Sequence, residues 1–356
     1  MNPNHKFWSK QPVEVGEGND IIKHPDTILT EPLVLPEGFS FENITDIKEI
    51  SKFLCENYVE DLTENFRLQY SEKFMEYIIK NPKHKEEYSL GLRLNNRLVG
   101  YIFAREHFLN INGKEKRVAG VNFLCISKDL RGKRIAPVLI KEITRRCNCN
   151  GIYQAIFTSG TKFFFKVSQS DYYHRPLNVK KLVQTGYMND STILNIPEVR
   201  SNTRRATEED LHKMHELYQN TASLYKMYEQ MDLEDFKHNF INENGPISSF
   251  VNYEEDKLTS FGSYFILETF CIQKNMKIKT AYLYYTCSES IKEIVSDLLY
   301  FANEDKCDVF NCIDIGESSK FIDELDFCLG TGSLNYYLFN WKTSEINKKD
   351  VYFYLQ

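Results

Sequence analysis

Apolar positions along this chain switch repeatedly between helical and strand periodicity, and the order of the switches sets the expected fold. Ile44, Ile47, Ile50, Phe53 and Leu54 fall at helical spacing over 43–58, with Thr45 and Asp46 as candidate caps. Residues 71–80 repeat that spacing and stop before Asn81 and Pro82. Strand patterns follow over 88–94 and 98–107, joined by the turn Asn95, Asn96, Arg97. An apolar run over 116–126 predicts a buried strand, 135–147 an amphipathic helix, and 152–157 a further strand. Thr158, Ser159 and Gly160 break that strand. Tyr172 to Pro176 are expected in the loop beyond it, before a short helix over 178–185.

The second part repeats the order. Helices are expected over 207–225 and 233–242, strands over 247–253, 258–267 and 278–287, a helix over 291–303 and a strand over 308–313. A short helix over 321–327 and a strand over 334–341 follow. At the end Val351, Phe353 and Leu355 alternate onto one face. Residues 190–205 change composition and carry Ile196 and Pro197, which marks a linker. We therefore expect two units, 1–190 and 191–356, and an α/β (α+β) fold. Their similar element order points to an internal duplication, although literal identity between them is weak. Residues 1–40 are polar and interrupted by prolines, with Phe7 and Trp8 as apolar anchor: an extended arm.

Composition narrows the function. A net charge of −6 over 356 residues argues against general nucleic-acid recognition. Aromatic residues make up 14% of the chain, enough for an apolar interior that accepts a long aliphatic group, or simply for an aromatic core. Nine cysteines form no CxxC pair, which favours a reduced, cytoplasmic setting. No stretch is long and apolar enough to predict a membrane span. His212 and His215 share a helix face without a third ligand, so no metal site is expected.

One stretch carries chemistry. Gly120 to Ile126 reads as a buried strand, Arg131 to Arg134 as a basic turn around Gly132, and Ile135 opens a helix. A helix start beside lysine and arginine is a phosphate site, because its free N–H groups and the positive end of its dipole converge there. A CoA pyrophosphate fits it. On the residues alone, a plain buried strand followed by a solvated basic turn is the competing reading.

Asn122 to Ile126, Arg131 to Pro137 and Ile143 to Arg146 resemble the glycylpeptide N-tetradecanoyltransferase (N-myristoyltransferase) family. The likeness extends over Lys6 to Trp8, Gln11 to Val13, Leu35 to Phe39, Glu56 to Asp61, Tyr172, His174 to Arg175, Asp308 to Asn311, Asn340 to Lys342 and the final Leu355 and Gln356. It implies two tandem acetyltransferase-like (GNAT-type) halves in pseudo-twofold arrangement around a large mixed sheet. The first half would bind myristoyl-CoA and the second the peptide.

The resemblance implies transfer of a myristoyl group from myristoyl-CoA, as cosubstrate, to the N-terminal glycine of peptides or nascent proteins. It implies no prosthetic group and a monomer. Phe123 and Leu124 would supply backbone N–H groups to the oxyanion, and the α-carboxylate of Gln356 would be the general base. Lys6, Phe7, Trp8, Cys125, Ile126, Arg131, Gly132, Lys133, Arg134, Ile135 and Ala136 would join them around the acyl-CoA. Asn57, Tyr58, Val59, Asp61, Asn122, Thr158, Tyr172 and His174 would face the peptide.

Three departures stand out: Gly120 where the family usually has Glu, Ser127 where it has His, and Thr331 where it has Asp. They keep open an inactive acyl-CoA or lipidated-peptide binding protein, while Arg131 to Ala136 taken alone would also suit an N-acyltransferase of other chain length or amine specificity.

Overall fold

The computed structural model describes residues 6–23, 28–58, 65–242 and 245–355. After a short turn at Trp8–Lys10 the elements are β1 (Asn19–Asp20), β2 (Phe39–Asn43), α1 (Ile47–Asn57), β3 (Phe66–Gln69), α2 (Glu72–Ile79), β4 (Ser89–Leu94), β5 (Arg97–Ile111), β6 (Lys114–Ile126), α3 (Ile135–Cys149), β7 (Gln154–Ser159), β8 (Lys166–Pro176) and α4 (Val179–Thr185). Beyond 187–202 come β9 (Thr203–Arg205), α5 (Leu211–Ala222), β10 (Met227–Glu229), α6 (Leu233–Phe240), β11 (Ile247–Glu254), β12 (Lys257–Cys271), β13 (Met276–Ser288), α7 (Ile291–Glu304), β14 (Val309–Ile313), β15 (Cys328–Phe339), β16 (Lys342–Thr343) and β17 (Val351–Tyr352).

Local chemistry explains several boundaries. The Asp46 side chain accepts from the N–H groups of Lys48 and Glu49, and Ser71 accepts from that of Phe74, so both α1 and α2 begin at side-chain caps. Asn95 and Asn96 at φ 48° and 67° make the tight turn between β4 and β5, the backbone hand that matches strand twist.

The duplication is visible in the element order. In the first half α1–β3–α2 precedes a long hairpin, β5 of 15 residues and β6 of 13. In the second, α5–β10–α6 precedes β12 of 15 and β13 of 13. Each hairpin leads into a helix and a parallel partner: β6 pairs with β7 across α3, and β13 with β14 across α7. The halves also exchange strands. β3 pairs with β12, β10 with β5, and β15 lies between β7 and β8. One 15-stranded mixed sheet results, so neither half closes its own core.

Five expectations need correction. Tyr172 to Pro176 do not lie in a loop; they end β8, paired on one side with β15 and on the other with β14. The strand opens Lys-Val-Ser-Gln-Ser-Asp, too polar to read as a core strand, and both strands that flank it come from the other half. β3 and β10 went unforeseen because they are only 4 and 3 residues long; β3 pairs with β12 of the opposite half, and β10 lies between β5 of the opposite half and the two-residue β17. β2 starts at Phe39, where only an arm was expected. Residues 321–327 form turns rather than a helix. The last strand covers only Val351–Tyr352, though the alternation beyond it holds: Phe353 is buried with Val351, and Leu355 packs on the same cluster.

The halves are also clasped by α2 and α6. Tyr77 donates from its hydroxyl to Asn239 Oδ1 at 2.9 Å, and His238 stacks on the Tyr77 ring at 4.6 Å while its Nε2 donates to the Tyr77 carbonyl at 3.1 Å. Burial, reinforced by the nearby Arg105 cation, lowers the His238 imidazole to about 4. The unfolded chain therefore takes up this proton first as pH falls, and stability is lost between the ordinary histidine range and pH 4. The urea midpoint should fall between pH 7 and pH 5, and a His238→Gln variant should show a smaller fall across the same interval.

Candidate active site

In the β5–β6 ladder Tyr101 faces Cys125 but Phe103 faces Asn122, so Phe123 and Leu124 stand together opposite Ile102. This is a bulge, and its first residue is left-handed: Phe123 has φ 54°. A non-glycine residue in that region carries about 1–3 kcal/mol of strain and persists only where its surroundings enforce it. Here the Phe123 ring is 4% exposed and packs against Tyr70 at 5.3 Å and Tyr58 at 5.9 Å. The Phe123 N–H faces the Tyr58 hydroxyl, and burial pushes that hydroxyl up to about 12, so it stays a neutral phenol. The bulge thus turns backbone donors out of the sheet.

The second half has a bulge at the corresponding place, where Tyr284 and Tyr285 stand opposite Ser263. There the Ser263 hydroxyl takes the Tyr285 N–H at 3.1 Å and donates to the Tyr285 carbonyl at 3.2 Å. Ile102 has no such group to offer. Of the two bulges, the first is the one whose facing side chain cannot satisfy its backbone.

Immediately after β6 the chain turns through Gly132 at φ 77° and Arg134 at φ 61° into α3. The N-terminus of α3 has no side-chain cap and no acidic residue in its first turn. Pro137 has no N–H, leaving those of Ile135 and Ala136 in the first turn. Arg131, Gly132, Lys133 and Arg134 are all exposed around it. Asn57 braces this turn: its Oδ1 accepts from the Lys128 N–H at 3.2 Å, and its carbonyl accepts from the Arg131 guanidinium. The arm returns nearby. Trp8 stacks on Phe157 at 5.2 Å and packs with Phe163 and Phe165, Phe7 meets its edge, and Lys6 is exposed.

A second polar centre lies along β8. His174 Nδ1 is 2.7 Å from Asn311 Oδ1, so Nδ1 carries the hydrogen, and the Tyr187 hydroxyl is 3.4 Å away. Burial lowers the His174 imidazole despite Asn311, which favours the neutral ring. Gly330 makes room for it; a Cβ there would collide with His174 Nε2 and stand 2.9 Å from the Tyr172 carbonyl oxygen. Tyr172 and Tyr58 are close enough to influence each other electrostatically, which links this centre to the bulge. Asn122 precedes the bulge, and Thr158 pairs with Tyr336 in the β7–β15 ladder.

The chain end approaches the bulge from the other half. Tyr352 donates to the Thr286 carbonyl at 2.9 Å, the Tyr336 hydroxyl donates to the Phe353 carbonyl at 2.9 Å, and the Tyr354 N–H reaches the Tyr285 hydroxyl at 3.4 Å. Leu355 packs against Gly120 of β6. Val59, Asp61 and Gln356 lie outside the described residues. Cys125 is buried and burial pushes its thiol up to about 12, while Ile126 is half-buried; neither carries a reactive group at neutral pH. Tyr187 escaped the sequence reading, and Asn311 entered it only within the family likeness, with no role in the site. A polar amide inside the apolar run Val-Phe-Asn-Cys-Ile is the signal that points to Asn311.

Comparison with known proteins defines the class. Residues 20–170 match the family model for "Myristoyl-CoA:protein N-myristoyltransferase, N-terminal domain", and residues 178–352 that for the C-terminal domain. The probable glycylpeptide N-tetradecanoyltransferase of Caenorhabditis elegans is 33% identical, over 99% of this chain and 85% of that protein. The Saccharomyces cerevisiae glycylpeptide N-tetradecanoyltransferase is 33% identical over 96% of this chain and 87% of that protein. The fold is similar to the crystal structure of Saccharomyces cerevisiae N-myristoyltransferase with bound myristoyl-CoA, with a TM-score of 0.92 at 31% identity, covering 98% of this chain and 95% of that one. The chain is an acyl-CoA-dependent transferase with myristoyl-CoA as cosubstrate. It belongs to the myristoyl-CoA:protein N-myristoyltransferase family.

Gly330→Ala should displace His174 from Asn311. We expect peptide acylation to fall by about ten-fold or more, within the range a misplaced polar group costs, while calorimetric affinity for myristoyl-CoA is unchanged.

Proposed function

We propose that this enzyme transfers the myristoyl group to an N-terminal glycine amine by direct attack on the thioester, with its two halves dividing the substrates. Residues 1–190 bind myristoyl-CoA and residues 191–356 guide the peptide. The left-handed bulge at Phe123 carries the reading, because it breaks the β5–β6 ladder in the middle of a sheet at the two residues whose N–H groups the reaction needs.

The glycine amine, with an ordinary pKa near 8, arrives mostly as the ammonium. The terminal carboxylate of Gln356, ionised at neutral pH, takes one proton. The amine nitrogen then bonds to the thioester carbonyl carbon while the Phe123 and Leu124 N–H groups stabilise the oxyanion, an effect worth about 3–4 kcal/mol per donor in comparable sites. The tetrahedral intermediate collapses with cleavage of the C–S bond. CoA leaves as the thiol after receiving a proton from the former amine, and the first proton passes to solvent. Arg131, Lys133, Arg134 and the helix start of Ile135 and Ala136 hold the CoA phosphates electrostatically, with Trp8 and Phe7 closing over them. Asn122, Thr158, Tyr172 and neutral His174 hydrogen-bond the glycine end of the peptide, with Tyr58 and Asn57 beside it. The family resemblance gives Val59 and Asp61 a part in binding the peptide as well.

Mass spectrometry of a Gly-x-x-x-Ser peptide with enzyme and myristoyl-CoA tests this. The peptide should gain one myristoyl group, and a protein extended by a few residues after Gln356 should bind myristoyl-CoA without turning it over. Full activity of the extended protein would refute the carboxylate base. Preference for acetyl-CoA would refute the acyl assignment, and tight myristoyl-CoA binding without peptide modification would mark a binding protein instead.

A further inference from the structure

A buried imidazole–carboxylate pair sits beside this centre, and nothing in the chemistry above uses it. His107 on β5 and Glu229 on β10 are 5% and 4% exposed, and His107 Nδ1 lies 2.6 Å from Glu229 Oε1. Glu229 stands opposite Leu109 in the β10–β5 ladder, which puts its side chain on the face that carries His107. With Nδ1 committed to the carboxylate, Nε2 is the nitrogen left to act. It points at Gly120: a Cβ built there would stand 2.5 Å from His107 Nε2 and 2.8 Å from Leu355 Cδ1. The imidazole and the Leu355 side chain therefore share the space that a side chain at position 120 would fill. Phe353 holds the ring edge-on at 5.5 Å. This nitrogen and Leu355 thus meet at Gly120, on the strand that runs three residues on into the Phe123 bulge.

The charges around this imidazole come from several elements. Arg105 on the same strand and Lys83 after α2 are cations; Glu229 and, on α6, Asp235 face them, with the exposed Asp232 beyond Lys83. Burial works against ionisation of Glu229, but His107, Arg105 and Lys83 outweigh it and hold the carboxyl below its usual range. The phenols of Tyr77, Tyr218, Tyr284 and Tyr285 are raised by burial and stay neutral. Buried Arg105 and half-buried Lys83 stand against the buried carboxylates of Glu229 and Asp235, so the cations and anions around the pair nearly balance.

We infer that His107, held by Glu229, is a positioning residue for the general base: it receives at Nε2 the proton that the terminal carboxylate takes from the glycine ammonium. The inference rests on the reading of Gln356 as that base. In this step the carboxyl O–H bond breaks and the Nε2–H bond forms; Glu229 stays ionised beside the imidazolium, and the proton leaves to solvent after CoA departs.

Steady-state acylation between pH 5.5 and 9 tests it. His107→Asn keeps an N–H for Glu229 but cannot titrate. It should lower kcat about ten-fold, leave KM for myristoyl-CoA unchanged, and remove an imidazole ionisation from the acid limb of the kcat profile. Glu229→Gln should keep that ionisation but move it to lower pH, because the imidazolium loses its counter-charge. A merely structural pair would lower activity evenly at all pH values in step with the urea midpoint. That result, or wild-type kcat and profile in His107→Asn, would overturn the inference. The protein extended after Gln356, assayed alongside, separates the two claims. If it is inactive while His107→Asn behaves as wild type, only the relay fails; if it is fully active, the base itself fails.

Discussion

Everything in the centre of this molecule follows from one interruption of a hydrogen-bond ladder. Between Tyr101–Cys125 and Phe103–Asn122 the β5–β6 register slips, Phe123 turns left-handed, and Ile102 cannot satisfy what is freed. The aromatic bed of Tyr58, Tyr70 and Phe74 makes that conformation sustainable by burying the Phe123 ring. Because the same strand continues directly into the basic turn and the uncapped start of α3, the donors of the bulge and those of the helix lie on one short stretch of chain. A thioester and the phosphates of its carrier need such a pair of donor groups.

The duplication shows why a single copy of this device is used. The second hairpin has its own slip at Tyr284 and Tyr285, but Ser263 closes it from within. Tyr352 and Tyr354 pack on the same aromatic wall, stacked or edge-on against Tyr225, Tyr284 and Tyr285. The second bulge has thereby become a seat for the last residues of the chain, and that seat directs Leu355 toward Gly120. One half leaves its bulge without a facing side chain to close it, and the other uses its bulge to hold the segment from Tyr352 to Leu355.

The sequence made the local elements legible and left the long-range ones hidden. α1, α3, the turn at Asn95–Asn96 and the strand 114–126 announce themselves through caps, periodicity and turn chemistry. β3, β8 and β10 do not, because β3 and β8 pair only with strands of the other half, β10 is held between β5 of the other half and the two-residue β17, and all three carry too few apolar residues to show a period. The basic turn and helix start proposed to hold the phosphates were visible in Arg131 to Ala136, whereas the special backbone at Phe123 was suggested only by family resemblance. No periodicity marks a left-handed phenylalanine. His107 and Glu229, 122 positions apart, were invisible until the fold brought them together. The loss of a carboxylate at Gly120 looked like a defect in the sequence, but in the fold it is the space that His107 and Leu355 occupy.

The central claim is that the bulge and the chain end meet at one thioester, the first holding the oxyanion and the second taking the proton. Semisynthesis can replace the terminal carboxylate of Gln356 by a carboxamide, which keeps size and hydrogen-bonding reach but cannot accept the proton. Single-turnover acyl transfer at pH 7, with enzyme in excess over myristoyl-CoA and saturating glycine peptide, reads that one change. The account predicts a fall of about a hundred-fold or more with myristoyl-CoA affinity intact. Transfer within about two-fold of the unmodified protein would contradict it.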